Sequence, residues 1–178
     1  MKFDQRPSVI LSAVIDASPL FTCLVANFNL LSIGRGLPGR YVKALKHPFQ
    51  PESAQRELLK AVGSIRRKLT TSHAIGELQG VRSSRLKLQG SQLSAFWTES
   101  LDLLRAWELD ERLIRLLELG ADSSFAPIVG RIGPADTGVI GLALENNCAL
   151  ITEDAKALYS EAPRLGVDCR LLEHLIPV

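Results

Sequence analysis

An α/β fold with a central parallel sheet, layered α/β/α, is the architecture this chain predicts, and three observations carry the expectation. Two short runs, Val9 to Ile15 and Cys148 to Thr152, are apolar at odd and even positions alike. Strands covered by helices on both faces require that pattern. Stretches with helical spacing separate the runs, as crossover connections between parallel strands do. An acid follows each run, at Asp16 and at Asp154, where the chain leaves the sheet.

The elements follow in order. Val9 to Ile15 is the first central strand. Ser18-Pro19 then has the form of a helix N-cap and first-turn proline, with the helix running toward Leu31. Gly34, Gly36, Pro38 and Gly39 end it, and a basic loop carries the chain to Pro48 and Pro51. Glu52 to Lys68 is expected to be helical. Leu69-Thr70-Thr71 is expected to be a short strand, with Ser72 capping a helix that holds His73 and Glu77. A basic, serine- and glycine-rich loop follows from Val81 to Gly90. Leu93, Phe96, Trp97, Leu101, Leu104 and Trp107 recur at helical spacing. A further helix is expected over Glu111 to Leu119, then a loop from Ala121 to Gly133. Pro134 stands where a first-turn proline would, opening the helix of Asp136. Cys148 to Thr152 is the second central strand, Asp154 to Glu161 a short helix, and Val167 to Leu171 an edge strand.

With 178 residues, 46% hydrophobic and 22% charged, the chain suits one domain, residues 1–178, with an enlarged helical middle at about 34–133. That composition excludes disorder throughout. Cys23, Cys148 and Cys169 are odd in number and form no CxxC pair. Neither a structural zinc site nor a disulfide framework is indicated, and reduced thiols in a cytoplasmic protein are expected. From Val9 to Leu31 the only ionised residue is Asp16, which approaches the length of a membrane span. Asp16, Pro19, Asn27 and Asn29 interrupt that stretch, so a buried strand followed by a buried helix is expected, with no membrane partner.

Asp16, Glu77, Asp136 and Asp154 are the candidate catalytic and metal-ligating residues. Ligands of open parallel sheets bind beyond the carboxyl ends of the strands, where Asp16 and Asp154 fall and where Glu77 and Asp136 can join them. Carboxylates gathered there repel one another strongly. A hard divalent cation relieves the repulsion, since it prefers oxygen ligands and retains water. Each acid also has an ordinary reading: Asp16 and Asp154 as helix caps, Asp136 as a first-turn carboxylate, Glu77 as a solvated helix residue. His73, four residues before Glu77, suggests capping or packing, with contact to a phosphate or metal-bound water as the alternative, while His47 and His174 suggest nothing specific. No Ser-His-Asp spacing, dinucleotide fingerprint or phosphate-binding loop is present, and Gly34-Arg35-Gly36-Leu37-Pro38-Gly39 follows a helix, the wrong context for a P-loop.

Four pieces in order, Val14-Ile15-Asp16-Ala17-Ser18-Pro19-Leu20, Ile75-Gly76-Glu77-Leu78, Gly133-Pro134-Ala135-Asp136 and Ile151-Thr152-Glu153-Asp154, resemble the PIN domain. The likeness spans the chain and is carried mainly by the first twenty residues and by Gly133 to Tyr159. It implies a PIN-type nuclease fold and metal-dependent cleavage of RNA by Mg²⁺ or Mn²⁺. By position it implies Asp16, Glu77, Asp136 and Asp154 as the metal-binding acids, with Ser18 and Thr152 as supporting hydroxyls. Glu153, beside Asp154 in a strand-like stretch, is expected to point to the other face. The resemblance further implies a homodimer and, for proteins of this size, the toxin of a toxin–antitoxin pair. The antitoxin would lie over the apolar middle helices, including Trp97 and Trp107. The long segments Gly34 to Lys68 and Gly80 to Gly133 depart from compact VapC-type toxins.

Charge adds a substrate class. Between Arg35 and Lys87 lie 12 of the 21 basic residues and 3 of the 19 acids, a local net of +9 against −7 for the rest. Arg35, Arg40, Lys43, Lys46, Arg66, Arg67, Lys68, Arg82, Arg85 and Lys87 are therefore candidate nucleic-acid-binding residues. The alternative readings are a PIN-like module that binds RNA or protein without cutting, and a phosphoryl-transfer enzyme with Asp16 as nucleophile. The latter's motif needs an acid where Ser18 stands.

Overall fold

In the computed structural model, which describes residues 10–37, 42–115 and 125–176 apart from the side chains of residues 81–84, a parallel sheet forms the middle layer. Its strands are β1 (Ser12–Ile15), β2 (Arg67–Thr71), β3 (Asp110–Arg112), β4 (Ala149–Thr152) and β5 (Cys169–Leu171), in the order β3-β2-β1-β4-β5. All pairings are parallel. Strand order reverses between β1 and β4, so the crevice for a ligand opens where Asp16 and Asp154 leave the sheet.

Alternation along the strands assigns the two faces. Ala13, Ile15, Ala149 and Ile151 pack into one core with α1 (Ala17–Gly34), α2 (Glu52–Gly63) and α5 (Gly90–Ala106). Val14, Leu69 and Leu150 pack into a second core with Val139, Ile140, Leu142 and Ala143 of α7 (Pro134–Glu145). The result is the expected three-layer sandwich. The remaining helices are short: α3 (Ser72–Glu77), α4 (Ser83–Leu86), α6 (Ala126–Ile132) and α8 (Leu158–Glu161).

α1 is apolar enough, by length and composition, to cross a membrane, yet 67% of that window is buried in the chain's own fold. A helix that is hydrophobic all round belongs in a core, and α1 lies between the sheet and α2 and α5. Phe28 of α1 meets Phe96 of α5 edge-on, ring centres 5.4 Å apart. The three cysteines are free, as expected.

Several local expectations change. α1 is capped by Asp16, whose side chain accepts from the Ala17 N–H, so Ser18 lies inside the first turn. Thr71 caps α3 in place of Ser72, accepting from the Ala74 N–H at 3.1 Å. The expected helix from Glu52 to Lys68 stops at Gly63 because Arg67 and Lys68 pair with β1 at Ser12 and Ala13. Asp110 to Arg112 form an edge strand against β2 where a helix is expected to begin; residues 116–119 lie outside the described part. The expected loops are partly helical: α4 follows a single π-helical turn at Leu78–Arg82, and α6 buries Ile128. At Arg67–Lys68 and Asp110–Arg112 strand pairing outweighs weak local propensity, and in α4 and α6 the burial of Leu86 and Ile128 does so.

Candidate active site

The crevice is built by three local devices. At the end of β1, Asp16 is only 7% exposed. Its Oδ1 accepts from Ala17 N at 2.6 Å, and its Oδ2 accepts from Thr152 Oγ1 at 3.1 Å. At the end of β4, Thr152 Oγ1 also accepts from the Asp154 backbone N–H at 2.9 Å. One hydroxyl thus links the two acids on neighbouring strands. Asp154 then folds back on its own chain, with Oδ1 accepting from the N–H groups of Lys156 and Ala157, both at 2.8 Å. Asp16 therefore has a capping role as well as a place at the crevice, whereas Asp154 closes the turn before α8, whose N-cap, Ala157, makes no side-chain cap bond.

Asp136 enters from the other layer. Gly133, at φ 89°, turns the chain into α7, and Pro134 opens the helix as expected. A positive φ of that size suits glycine alone. Asp136 sits in the first turn, where the helix dipole ordinarily favours a charged carboxylate by about 0.3–1 kcal/mol. Its pKa is nevertheless pushed up to about 6, first by burial and then by the charges of Asp16, Asp154 and Glu77. The other three acids are therefore each within electrostatic reach of Asp136. Glu77, exposed at the end of α3, contributes least of the three. Among the described residues, no group of three His, Cys, Asp or Glu side chains is drawn together tightly enough to hold a metal ion as it stands. The acids share a field rather than a coordination sphere.

Beside the acids, on the α1 side of β4, lies a cleft of about 460 Å³ lined by Ser18, Thr22, Lys46, Arg85, Glu153 and Asp154 among others. Glu153, expected to face away from Asp154, instead lines the same cleft: it follows the end of β4 and lies on the α1 side, where the Thr22 hydroxyl donates to its Oε1. Leaving Glu153 aside misses the cleft, because that face opens beside the acids. The signal is present in the chain: Ser18 and Thr22, four apart in α1, share one helix face. Lys156, exposed on the same cleft, is also absent from the predicted set.

The basic candidates separate into groups. Lys46 and Arg85 reach the cleft, and Lys43 is exposed three residues before Lys46, beside the cleft residue Ala44. Lys87 is exposed after α4. Arg35 ends the 18-residue α1, about 27 Å along the helix from Asp16, and pairs with Glu99. Arg66, Arg67 and Lys68 sit at the amino end of β2, the opposite rim of the sheet. Arg67 donates to Asn146 Oδ1 at 2.9 Å. Lys68 is 5% exposed, donates to the Ile65 carbonyl and lies 5.9 Å from the Trp107 ring. Burial lowers its pKa, the Glu108 charge opposing. Lys68 is thus a structural residue and not a backbone contact. Arg40 and the Arg82 side chain lie outside the described part.

Neither protein-family models nor curated proteins return a match to this chain. The parallel α/β sandwich with acids at its switch point is the class that fold and site define.

Proposed function

We propose that the protein is a metal-dependent endoribonuclease of PIN type that hydrolyses RNA phosphodiester bonds at the crevice between β1 and β4. The observation that carries this reading is the Asp136 carboxyl, half buried at a helix start and facing the charges of Asp16, Asp154 and Glu77. Mutual repulsion at a ligand-binding switch point disfavours the empty site and favours a bound cation. The donors are all oxygen, which suits Mg²⁺ or Mn²⁺ over softer metals.

Asp16, Asp136 and Asp154 would hold the metal, with Glu77 completing the set or orienting water. Bound there, the ion supplies activation of water and neutralises charge on the phosphate. Thr152 keeps Asp16 and Asp154 in register through its one hydroxyl. Ser18, at the start of the cleft, adds a hydroxyl within the first turn of α1. Lys46 and Arg85 supply cations along the cleft for a phosphate backbone. The ordered likeness of the four acid-bearing pieces to PIN domains supports RNA as the polymer.

The test is cleavage of single-stranded RNA by the purified chain with Mn²⁺, with EDTA, and after Asp16→Asn. EDTA and the substitution should each abolish cleavage while circular dichroism stays unchanged. Full metal-dependent cleavage by the variant would overturn the proposal.

A further inference from the structure

The cleft beside the acids has a chemistry of its own. Its volume, about 460 Å³, lies within the ~300–1,000 Å³ of small-ligand pockets. Phe21 and Phe49 contribute apolar wall, Lys46 and Arg85 contribute cations, and Glu153 contributes a carboxylate. Asp154, one residue further, belongs both to this cleft and to the acid group. A nucleotide whose phosphate lies at the acids would therefore place a neighbouring base in the cleft.

Glu153 is held for such a role. It follows the last residue of β4, and the Thr22 hydroxyl, projecting from α1, donates to its Oε1. A carboxylate oxygen accepts more than one hydrogen bond, and Oε2 has no hydrogen-bond partner among the described residues. The group thus offers two adjacent acceptors and no donor.

That arrangement discriminates among bases. Guanine alone presents two neighbouring donors, N1–H and the 2-amino group, on its pairing edge. Adenine and cytosine each set one donor beside an acceptor, and uracil sets one donor between two acceptors. Opposing an acceptor to this partly buried carboxylate leaves both without a partner, which is disfavoured. Single-stranded bases are read on this edge, and a bidentate pair typically discriminates by about ten- to a hundredfold.

We infer that the cleft is a guanine subsite, with Glu153 accepting from N1–H and the 2-amino group of a base next to the scissile phosphate and Thr22 acting as its positioning residue. The inference rests on the nuclease reading for where that phosphate lies.

The experiment uses single-stranded RNA pentanucleotides of uridine with guanosine, inosine, adenosine or cytidine at the centre. Initial cleavage rates are measured in Mn²⁺, and binding is measured by fluorescence anisotropy with Ca²⁺ in its place. Guanosine should be preferred about ten- to a hundredfold, and inosine, lacking the 2-amino group, should lose about tenfold. Glu153→Gln should bring the bases within about twofold of each other or favour adenosine and cytidine, whose edges match an amide. Thr22→Val, which frees Glu153 without replacing it, should lie between. Cleavage without base preference, or a guanosine preference that survives Glu153→Gln in a folded variant, overturns the subsite and leaves the nuclease reading intact. Guanosine-selective binding that Glu153→Gln removes, without any cleavage, upholds the subsite and overturns the nuclease. Loss of both binding and cleavage in the wild-type chain overturns both.

Discussion

The two ends of the parallel sheet treat charge in opposite ways. At the amino end, Lys68 donates to the Ile65 carbonyl and faces the Trp107 ring, Arg67 bonds Asn146, and Arg170 pairs with Asp168 at 2.8 Å. At the carboxyl end, Asp136 is half buried among three other acids and titrates well above the ordinary carboxylate range. Charges that serve the fold are compensated by the fold. Charges left repelling one another point to a partner that is not part of the chain.

The largest expected contrast comes from substituting one residue at each end. Asp154→Asn should reduce Mn²⁺-dependent RNA cleavage by at least about 100-fold, since a metal ligand matters more than the residues supporting it. Arg66→Gln, at the amino end, should leave the rate within about twofold, as surface substitutions away from such features do. Equal losses in the two variants would erase the distinction between the rims.

Thr152→Val sharpens the comparison within the carboxyl end. It removes the donor to Asp16 Oδ2 and the acceptor for the Asp154 N–H. Metal affinity, followed by titration calorimetry with Mn²⁺, should fall about ten- to a hundredfold. An unchanged affinity would mean that the hydroxyl serves packing alone.

The cations facing the cleft are next in size. Lys46→Gln and Arg85→Gln should each weaken RNA binding several-fold without a base preference of their own, and each should lower the salt slope by about one. Arg67→Gln, tied to Asn146 at the far rim, should do neither. Binding measured over a salt series distinguishes them.

Stability separates the two ends by sign. In EDTA, Asp136 holds its proton more tightly folded than unfolded, so its contribution is full below pH 3.8 and is lost as pH rises through about 6. Melting temperature should therefore decline across that interval, and both Asp136→Asn and saturating Mn²⁺ should remove the decline. Lys68→Ala, by contrast, should destabilise by about 1–3 kcal/mol through lost packing and an unpaired carbonyl, with cleavage unchanged in the folded fraction. Chemical denaturation and rate measurements on the same sample check both halves.

Much of this was legible along the chain, for reasons that particular residues make plain. The runs at Val9–Ile15 and Cys148–Thr152 identify internal strands because apolar residues occupy odd and even positions alike, and the strands found, Ser12–Ile15 and Ala149–Thr152, are buried on both faces from Ala13 and Ala149 onward. Pro134 marks the start of α7 because its locked φ and missing N–H suit only a first turn. The acids Asp16 and Asp154 could be located because an acid following such a run must lie at the sheet's rim. The caps were harder. Asp16 and Thr71 displaced Ser18 and Ser72 because in each segment two neighbouring residues can cap, and the pairing of the preceding strand decides which one leaves it first. β3 was hidden because Asp110-Glu111-Arg112 carries no strand propensity and exists through its pairing with β2.

By itself the sequence determined the layered parallel fold and the rim positions of Asp16 and Asp154. These depend on alternation, capping and chain stiffness, which act over a few residues. Only the tertiary structure decided that Asp136 shares a field with three other acids, that Lys46 and Arg85 reach the cleft, and that Lys68 is buried at the other end. Those outcomes depend on strand order and on where each crossover returns. Residues far apart in the chain become neighbours there, and a charge's meaning is set by its neighbours.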